Sequence, residues 1–262
     1  YDLLPDYNDL FDGTNDNSIE AVFEVQYTAM NQKGTDNFAT VLNAPNGDGF
    51  VAGGGWGWTR PTPDLEREYE EGDPRFVATI FRKDVDDFFG QMFIDKVNGT
   101  GLGIRKWTIG NPPNNKGVVV DQVSWYNSCN YSLIRYAEVL LWYAEVMNEL
   151  NDQVTAAKYV NMVRARTATT TDPNTINSNV IRELPPISPT LSYEEMFWAI
   201  VHERRVEFAF EGKFGWDLRR WGIAQEYLLD PNRWQNEVTP GYFRYRTLVM
   251  INLKSLLQIN LE

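Results

Sequence analysis

The sequence predicts a mainly α-helical fold of tetratricopeptide-like αα-hairpins, with long irregular loops and minor β-structure. Three observations carry this. Apolar residues of the second half recur at helical spacing. A short polar break joins two such helices, which makes a hairpin. The first 130 residues are rich in Gly, Asn, Asp and Pro, the residues of turns.

In chain order, Asp12 to Asn17 and Asn43 to Gly49 are turn chemistry, because Asn, Asp and Gly tolerate left-handed backbone. Ala21 to Tyr27 alternates enough to read as a strand. Gly53 to Trp58 reads as a loop carrying two indoles. Pro63 to Glu71 reads as a short acidic helix, with Pro early and Gly72 just past its end. Trp107, Trp125 and Tyr126 fall on further loops.

Leu133, Ala137, Leu140, Ala144 and Met147 mark a long amphipathic helix. After a break at Asn151 and Asp152, Ala156, Tyr159, Val160 and Val163 mark a second, ending near Thr167. Pro173 to Pro189 is a proline-rich loop. Ser192 is the next N-cap, with Glu195 completing a capping box and Leu191 placed to staple onto Met196. That helix runs through Met196, Ile200, Val206 and Phe210 and stops at Gly212. A fourth, from about Trp216 to Leu229, completes a second hairpin. The two hairpins suggest tetratricopeptide-like stacking, although no strict period of about 34 residues is detectable.

Composition excludes several functions. The 262 residues hold 24 Lys and Arg against 36 Asp and Glu, a net charge of −12. Nucleic acid is a poor partner for such a chain. A single cysteine, Cys129, rules out an internal disulfide framework and Cys-rich metal sites. A single histidine, His202, rules out a two-histidine metal site. Cys129 reads as a small buried residue, His202 as a helix-surface residue and Phe88–Phe89 as the edge of a core. Asp12, Thr14, Asp16, Ser18 and Glu20 alternate like calcium ligands. Asn17 stands where the required Gly belongs and Phe23 where Glu belongs, so this is a turn. No metal and no cofactor is expected. The most apolar stretch, Leu133 to Leu150, is broken by Arg135, Glu138, Glu145 and Glu149, too polar for a membrane span.

Charged residues also sit where a core belongs. Glu203 and Glu207 share a helical face with Ile200 and Phe210, and Asp217, Arg219 and Arg220 follow in the next helix. Buried carboxylates must be neutralised, so the expectation is an ion-pair clamp between the two helices, rather than a catalytic carboxylate pair.

At these residues the chain resembles the SusD/RagB family. Tyr136 to Glu149 is similar to its "Y-A-[ED]-V-L-L-x-Y-A-E-A-x-N-E", and Asn161 to Arg166 to "I-N-x-V-R-x-R". Ile200 to Gly212 resembles "I-x-x-E-R-R-x-E-L-A-F-E-G", and Asp217 to Gly222 "D-L-x-R-W-G". Glu20 to Tyr27 and Pro61 to Leu65, the latter followed by Asp73-Pro74-Arg75, resemble "E-x-I-F-E-x-Q-Y" and "P-T-x-x-L … D-x-R". There are departures. Lys213-Phe214-Gly215-Trp216 stand where the family usually has His-Arg-Trp-Phe. Met250 to Leu257 keeps only the Ile and the apolar pattern of "P-I-P-x-x-E-[LI]".

The resemblance covers the C-terminal half of such a protein, and the chain reads as a fragment or a processed product. Residues 1–130 would be the loop-rich, ligand-facing part and 131–262 the helical-hairpin scaffold of one SusD-like domain. On this reading the N-terminal half of the family, with its signal peptide and lipid-bearing Cys, would be absent. The resemblance implies a cell-surface lipoprotein of the outer membrane. It would capture a glycan, deliver it to a SusC-like TonB-dependent transporter, and carry no enzyme activity. Membrane contact would come only through the lipid anchor. The motif residues above are scaffold in this family.

Sugar rings present apolar C–H faces, which indole and phenol rings match. The candidate ligand-binding residues are therefore Phe50, Trp56, Trp58, Trp107, Trp125 and Tyr126. The nearest alternative is a RagB-like member that binds peptides. Others are a helical-repeat scaffold with no small ligand and a glycoside hydrolase.

Overall fold

The computed structural model describes residues 1–28, 37, 42–44, 55–88, 90–92, 100–110, 116, 120–121, 126–174 and 183–230. A 3-10 turn at Tyr7–Leu10, capped by Asp6, leads to strand β1 (Ala21–Val25). Then come helices α1 (Pro63–Glu68) and α2 (Pro74–Thr79), and strands β2 (Ile80–Arg82), β3 (Asp87–Phe88), β4 (Gln91–Met92) and β5 (Leu102–Ile104). Strands β6 (Val120–Asp121), β7 (Tyr126–Asn127) and β8 (Tyr131–Arg135) precede the long helices α3 (Tyr136–Glu149), α4 (Gln153–Ala165) and α5 (Tyr193–Glu207). Two short helices follow, α6 (Phe214–Arg220) and α7 (Ala224–Leu229).

The β-structure is minor, four antiparallel two-stranded pairs among the described residues: β1 with β8, β2 with β5, β3 with β4 and β6 with β7. The first joins the two halves of the chain, with Ala21 opposite Arg135 and Val25 opposite Tyr131.

The expected helices form for the expected reasons. The Asp152 carboxylate caps α4 by accepting from the Thr155 N–H. Ser192 and Glu195 form the reciprocal capping box of α5. Helices α3, α4 and α5 bury one apolar cluster that includes Leu140, Leu141, Val160, Val163, Met196 and Ile200, with Leu191 packed against it. A second cluster places Leu218 of α6 and Tyr227 of α7 on Val201 of α5.

Four boundaries differ from the sequence reading. Leu133 belongs to β8, not to a helix. Residues 131–135 pair with β1, and helical spacing from Leu133 to Ala137 is coincidental. Helix α1 stops at Glu68, and α2, capped by Asp73 with Pro74 at its first position, was not expected. Helix α5 ends at Glu207, because Phe210 (φ 64°) and Gly212 (φ 72°) both take left-handed backbone. The expected fourth helix is two helices, broken at Gly222 with φ 73°. The terminal segment at Met250 to Leu257 lies outside the described residues. Among the described residues no helix is long and apolar enough to cross a membrane.

Candidate functional site

The stretch before α1 carries Trp56 and Trp58. Gly57 between them has φ 59°, a backbone conformation that costs glycine nothing. The Gly57 N–H donates to the Ala44 carbonyl and the Trp58 N–H to the Leu42 carbonyl, both at 2.9 Å. These bonds hold the two indoles together, with ring centroids 5.3 Å apart and planes tilted by 44°. Trp56 is half-buried and Trp58 is 71% exposed. So much open indole forfeits the burial that normally stabilises a Trp, and leaves a flat apolar face with a polar N–H edge for a ligand.

The root of this loop is anchored on α5. Thr62 caps α1 through the Leu65 N–H, and Thr100 Oγ1 donates to the Pro61 carbonyl at 2.9 Å. Arg205 of α5 pairs with Asp64 and Glu68 of α1. His202 sits between Glu68 (3.2 Å) and Glu70 (3.3 Å), so it is a helix-to-helix tie and not a free surface residue. Burial would lower its pKa. Glu68 and Glu70, with Glu203, instead raise it to about 9.

The other candidates fare differently. Trp107 is 5% exposed and has φ 66°. Its ring makes a T-shaped contact with Phe11, centroids 4.9 Å apart, and stacks on Tyr131 at 5.4 Å. It is a buried residue of the Tyr7, Phe11 and Ala78 cluster, and its ring also borders a pocket lined by Phe11, Lys106 and Lys116. Tyr126 lies in strand β7 rather than in a loop. Phe50, Trp125 and Phe89 lie outside the described residues. Sequence reasoning did not single out Arg60, a cation two residues beyond Trp58 in an acidic chain. Cys129 is buried, and burial pushes its thiol up to about 12.

Glu203 and Glu207 are fully buried, as their helical face implies. Their partners come from far along the chain. Glu203 pairs with Arg75 and Arg164, and Glu207 with Arg75, Arg135 and Arg166. Glu20, from the segment that resembles a calcium loop, turns inward to Arg135 and Arg166. Glu211 completes the network through Arg135 and Lys106, both at 2.9 Å. Burial alone would raise the Glu207 pKa, but Arg166, Arg135 and Arg75 outweigh it and hold the carboxyl well below the usual range. Glycoside hydrolysis needs two carboxylates in an open cleft. These two face guanidinium groups in the interior. The clamp is therefore real but wider than expected. It joins α5 to Glu20 just before β1, to α2 and β8, and to α4 and the turn that follows it, while Asp217 pairs with Arg204 and Arg220. Arg219 instead lies over the Trp216 ring.

The model of the SusD family matches residues 19–258. The chain belongs to the SusD family. It is 27% identical to SusD-like protein P2 from Formosa agariphila, over 88% of this chain and 45% of that protein. It is 26% identical to a SusD-like protein from Bacteroides ovatus, over 95% of this chain and 42% of that one. It therefore spans less than half the length of these SusD relatives. Among solved structures it resembles surface glycan-binding protein A from Bacteroides thetaiotaomicron, with a TM-score of 0.65 and 28% identity over 87% of this chain and 48% of that one. The same protein in complex with laminarihexaose gives a TM-score of 0.63 at 28% identity, over 86% of this chain and 48% of that one. The mostly helical SusD-like architecture is thus shared with a solved glycan complex.

Proposed function

We propose that this chain captures a glycan at the bacterial cell surface and passes it to a TonB-dependent transporter of the outer membrane, binding without catalysis. The observation that carries the reading is the exposed Trp58 indole beside Trp56, on a loop tied down by backbone hydrogen bonds, in a SusD-family chain. The related structure with bound laminarihexaose supports the ligand class. A rigid aromatic platform binds sugar faces with little loss of side-chain freedom. Phe50, Trp125 and Tyr126 are proposed as further contacts.

The test is a tryptophan-fluorescence titration against plant, host and microbial polysaccharides and a mixed peptide digest. The intact chain is compared with Trp56→Ala/Trp58→Ala. Saturable binding to a glycan, lost in the double variant, is the expected result. Binding to peptides with silence on every glycan would overturn it in favour of a peptide-capturing member. Single substitutions of Phe50, Trp125 and Tyr126 in the same assay sort them into contacts and bystanders.

A further inference from the structure

Trp107 carries two unfavourable features that its packing does not explain. Its backbone is left-handed, with φ 66°, a region that bulky side chains rarely enter. Its indole Nε1 is buried and has no hydrogen-bond partner among the described residues. A buried donor without an acceptor costs stability, and strained backbone clusters where a site requires it. The same residue walls a pocket of about 180 Å³. Pockets for drug-sized ligands run to roughly 300–1,000 Å³, so this one has room for a single ring.

The lining is mixed. Phe11, Trp107 and Ile109 supply apolar surface, and Asp12 and Lys116 supply an ion pair at 2.6 Å. This pair is electrically balanced. The other cations of the lining are engaged too. Lys106 pairs with Glu211, and Arg105 donates to the Asp87 carbonyl and to Asn174. The pocket therefore exerts no net pull on an anion. It does offer both kinds of hydrogen-bonding group. Asp12 accepts from the Thr14 N–H, the Thr14 hydroxyl and Lys116, which leaves about one of its four acceptor positions open. Lys116 spends one N–H on Asp12, and its remaining N–H groups are uncommitted among the described residues. Its side chain is 47% exposed, so a ligand can reach the pair from solvent.

We propose, building on the glycan-capture reading above, that this pocket binds one neutral sugar unit, at a site apart from the Trp58 platform. A sugar hydroxyl both donates and accepts, so neighbouring hydroxyls match Asp12 and Lys116 together. Hydrogen bonds to charged partners are stronger than neutral ones, and the C–H face of the ring meets the apolar wall. Trp56 and Trp58 do not line the pocket. A platform takes the face of any unit along a chain, whereas a pocket of one-ring size takes a chain end.

The experiment follows the indole N–H signals of the whole chain, labelled with ¹⁵N-tryptophan, by nuclear magnetic resonance. Trp58→Phe and Trp107→Phe assign the two signals of interest. The probes are the methyl glycosides of glucose, galactose, mannose and N-acetylglucosamine, the methyl glycoside of glucuronate, and laminarihexaose. The expected result is a saturable shift of the Trp107 signal with at least one neutral glycoside, bound at least threefold more tightly than the glucuronate. Asp12→Asn and Lys116→Gln keep a polar group of similar size and remove the charge. Each should weaken that binding at least tenfold while the Trp58 signal still responds to the hexaose. Circular dichroism melts confirm that both variants are folded. A Trp58 signal that moves while Trp107 stays still with every neutral probe overturns the pocket and leaves capture at the platform standing. A Trp107 shift without any Trp58 response keeps the pocket and counts against the platform. Silence of both signals overturns the pocket. A Trp107 shift that survives both substitutions, or a glucuronate bound more tightly than every neutral glycoside, overturns it as well.

Discussion

Trp58 and Trp107 both stand in polar, turn-rich sequence of the first half, yet one is 71% exposed and the other 5%. The difference lies in what the fold brings to each ring. Trp107 makes a T-shaped contact with Phe11 and stacks on Tyr131, and the neighbouring Lys106 ammonium lies 4.3 Å from the Phe11 ring centroid while pairing with Glu211. It therefore belongs to the roof of the ion-paired interior. Among the described residues the ring of Trp58 meets that of Trp56, its near neighbour in the chain. An aromatic residue on a loop becomes core when distant partners reach it, and platform when only local ones do.

This contrast can be attacked from the interior outward. The largest losses are expected there. Glu207→Gln removes the charge that balances Arg135 and Arg166 and part of Arg75, so urea denaturation should show a loss of about 3–5 kcal/mol. Trp107→Ala opens a cavity beneath Phe11 and Tyr131, with an expected loss of about 3–5 kcal/mol in the same assay.

The tie at the root of the platform loop is intermediate. The folded-state pKa of His202 is raised from 6.5 to about 9, so its contribution is full below pH 6.5 and is lost as pH rises toward 9. Stability should fall across that window by on the order of 2 kcal/mol, a figure reduced because 26% of the side chain remains exposed. His202→Gln should flatten the profile. Glu70 works on the acid side. The hydrogen bond from His202 leads, burial opposes it and Arg164 adds to it, so the Glu70 pKa falls from 4.5 to about 2. Its contribution is present above pH 4.5 and fades as pH falls toward 2.

Ser192→Ala removes the α5 capping box and should cost about 1 kcal/mol, read as a lower melting temperature. The smallest stability effect is expected at Trp58→Ala, within about 0.5 kcal/mol, with glycan binding lost. A large destabilisation there, or a small one at Trp107, would erase the distinction between platform and core.

Much of the helical scaffold was legible because its signals are local. The Ser192 and Glu195 capping box and the break at Asn151–Asp152 lie within a few residues of what they specify. Gly222 was legible too, since a glycine after Asp217 to Trp221 is a helix stop, yet one helix was drawn through it. The start of α3 was misplaced because Tyr131 to Arg135 satisfies both periodicities, and only pairing with Ala21 to Val25 decides between them. The network around Glu207 had a local signal, a carboxylate on an apolar face, but its partners Arg75 and Arg135 lie 132 and 72 residues away. The Trp56–Trp58 pair was found because its two rings are neighbours in sequence. The burial of Trp107 was missed because its ring partners are not.

That interior also has a direction in time. Glu20, Arg75, Arg135, Arg164 and Arg166 leave the ribosome before Glu203, Glu207 and Glu211 do. Until α5 is made, Glu20, Asp73 and Glu70 supply only part of the complement of these arginines, and their full burial lacks the carboxylates of Glu203, Glu207 and Glu211. The strand pair β1–β8 and the α3–α4 hairpin can form early, but the centre they enclose cannot close. Synthesis of α5 is thus the step that commits the whole chain, and a nascent chain halted before residue 203 would keep its charged middle open to water and to chaperones.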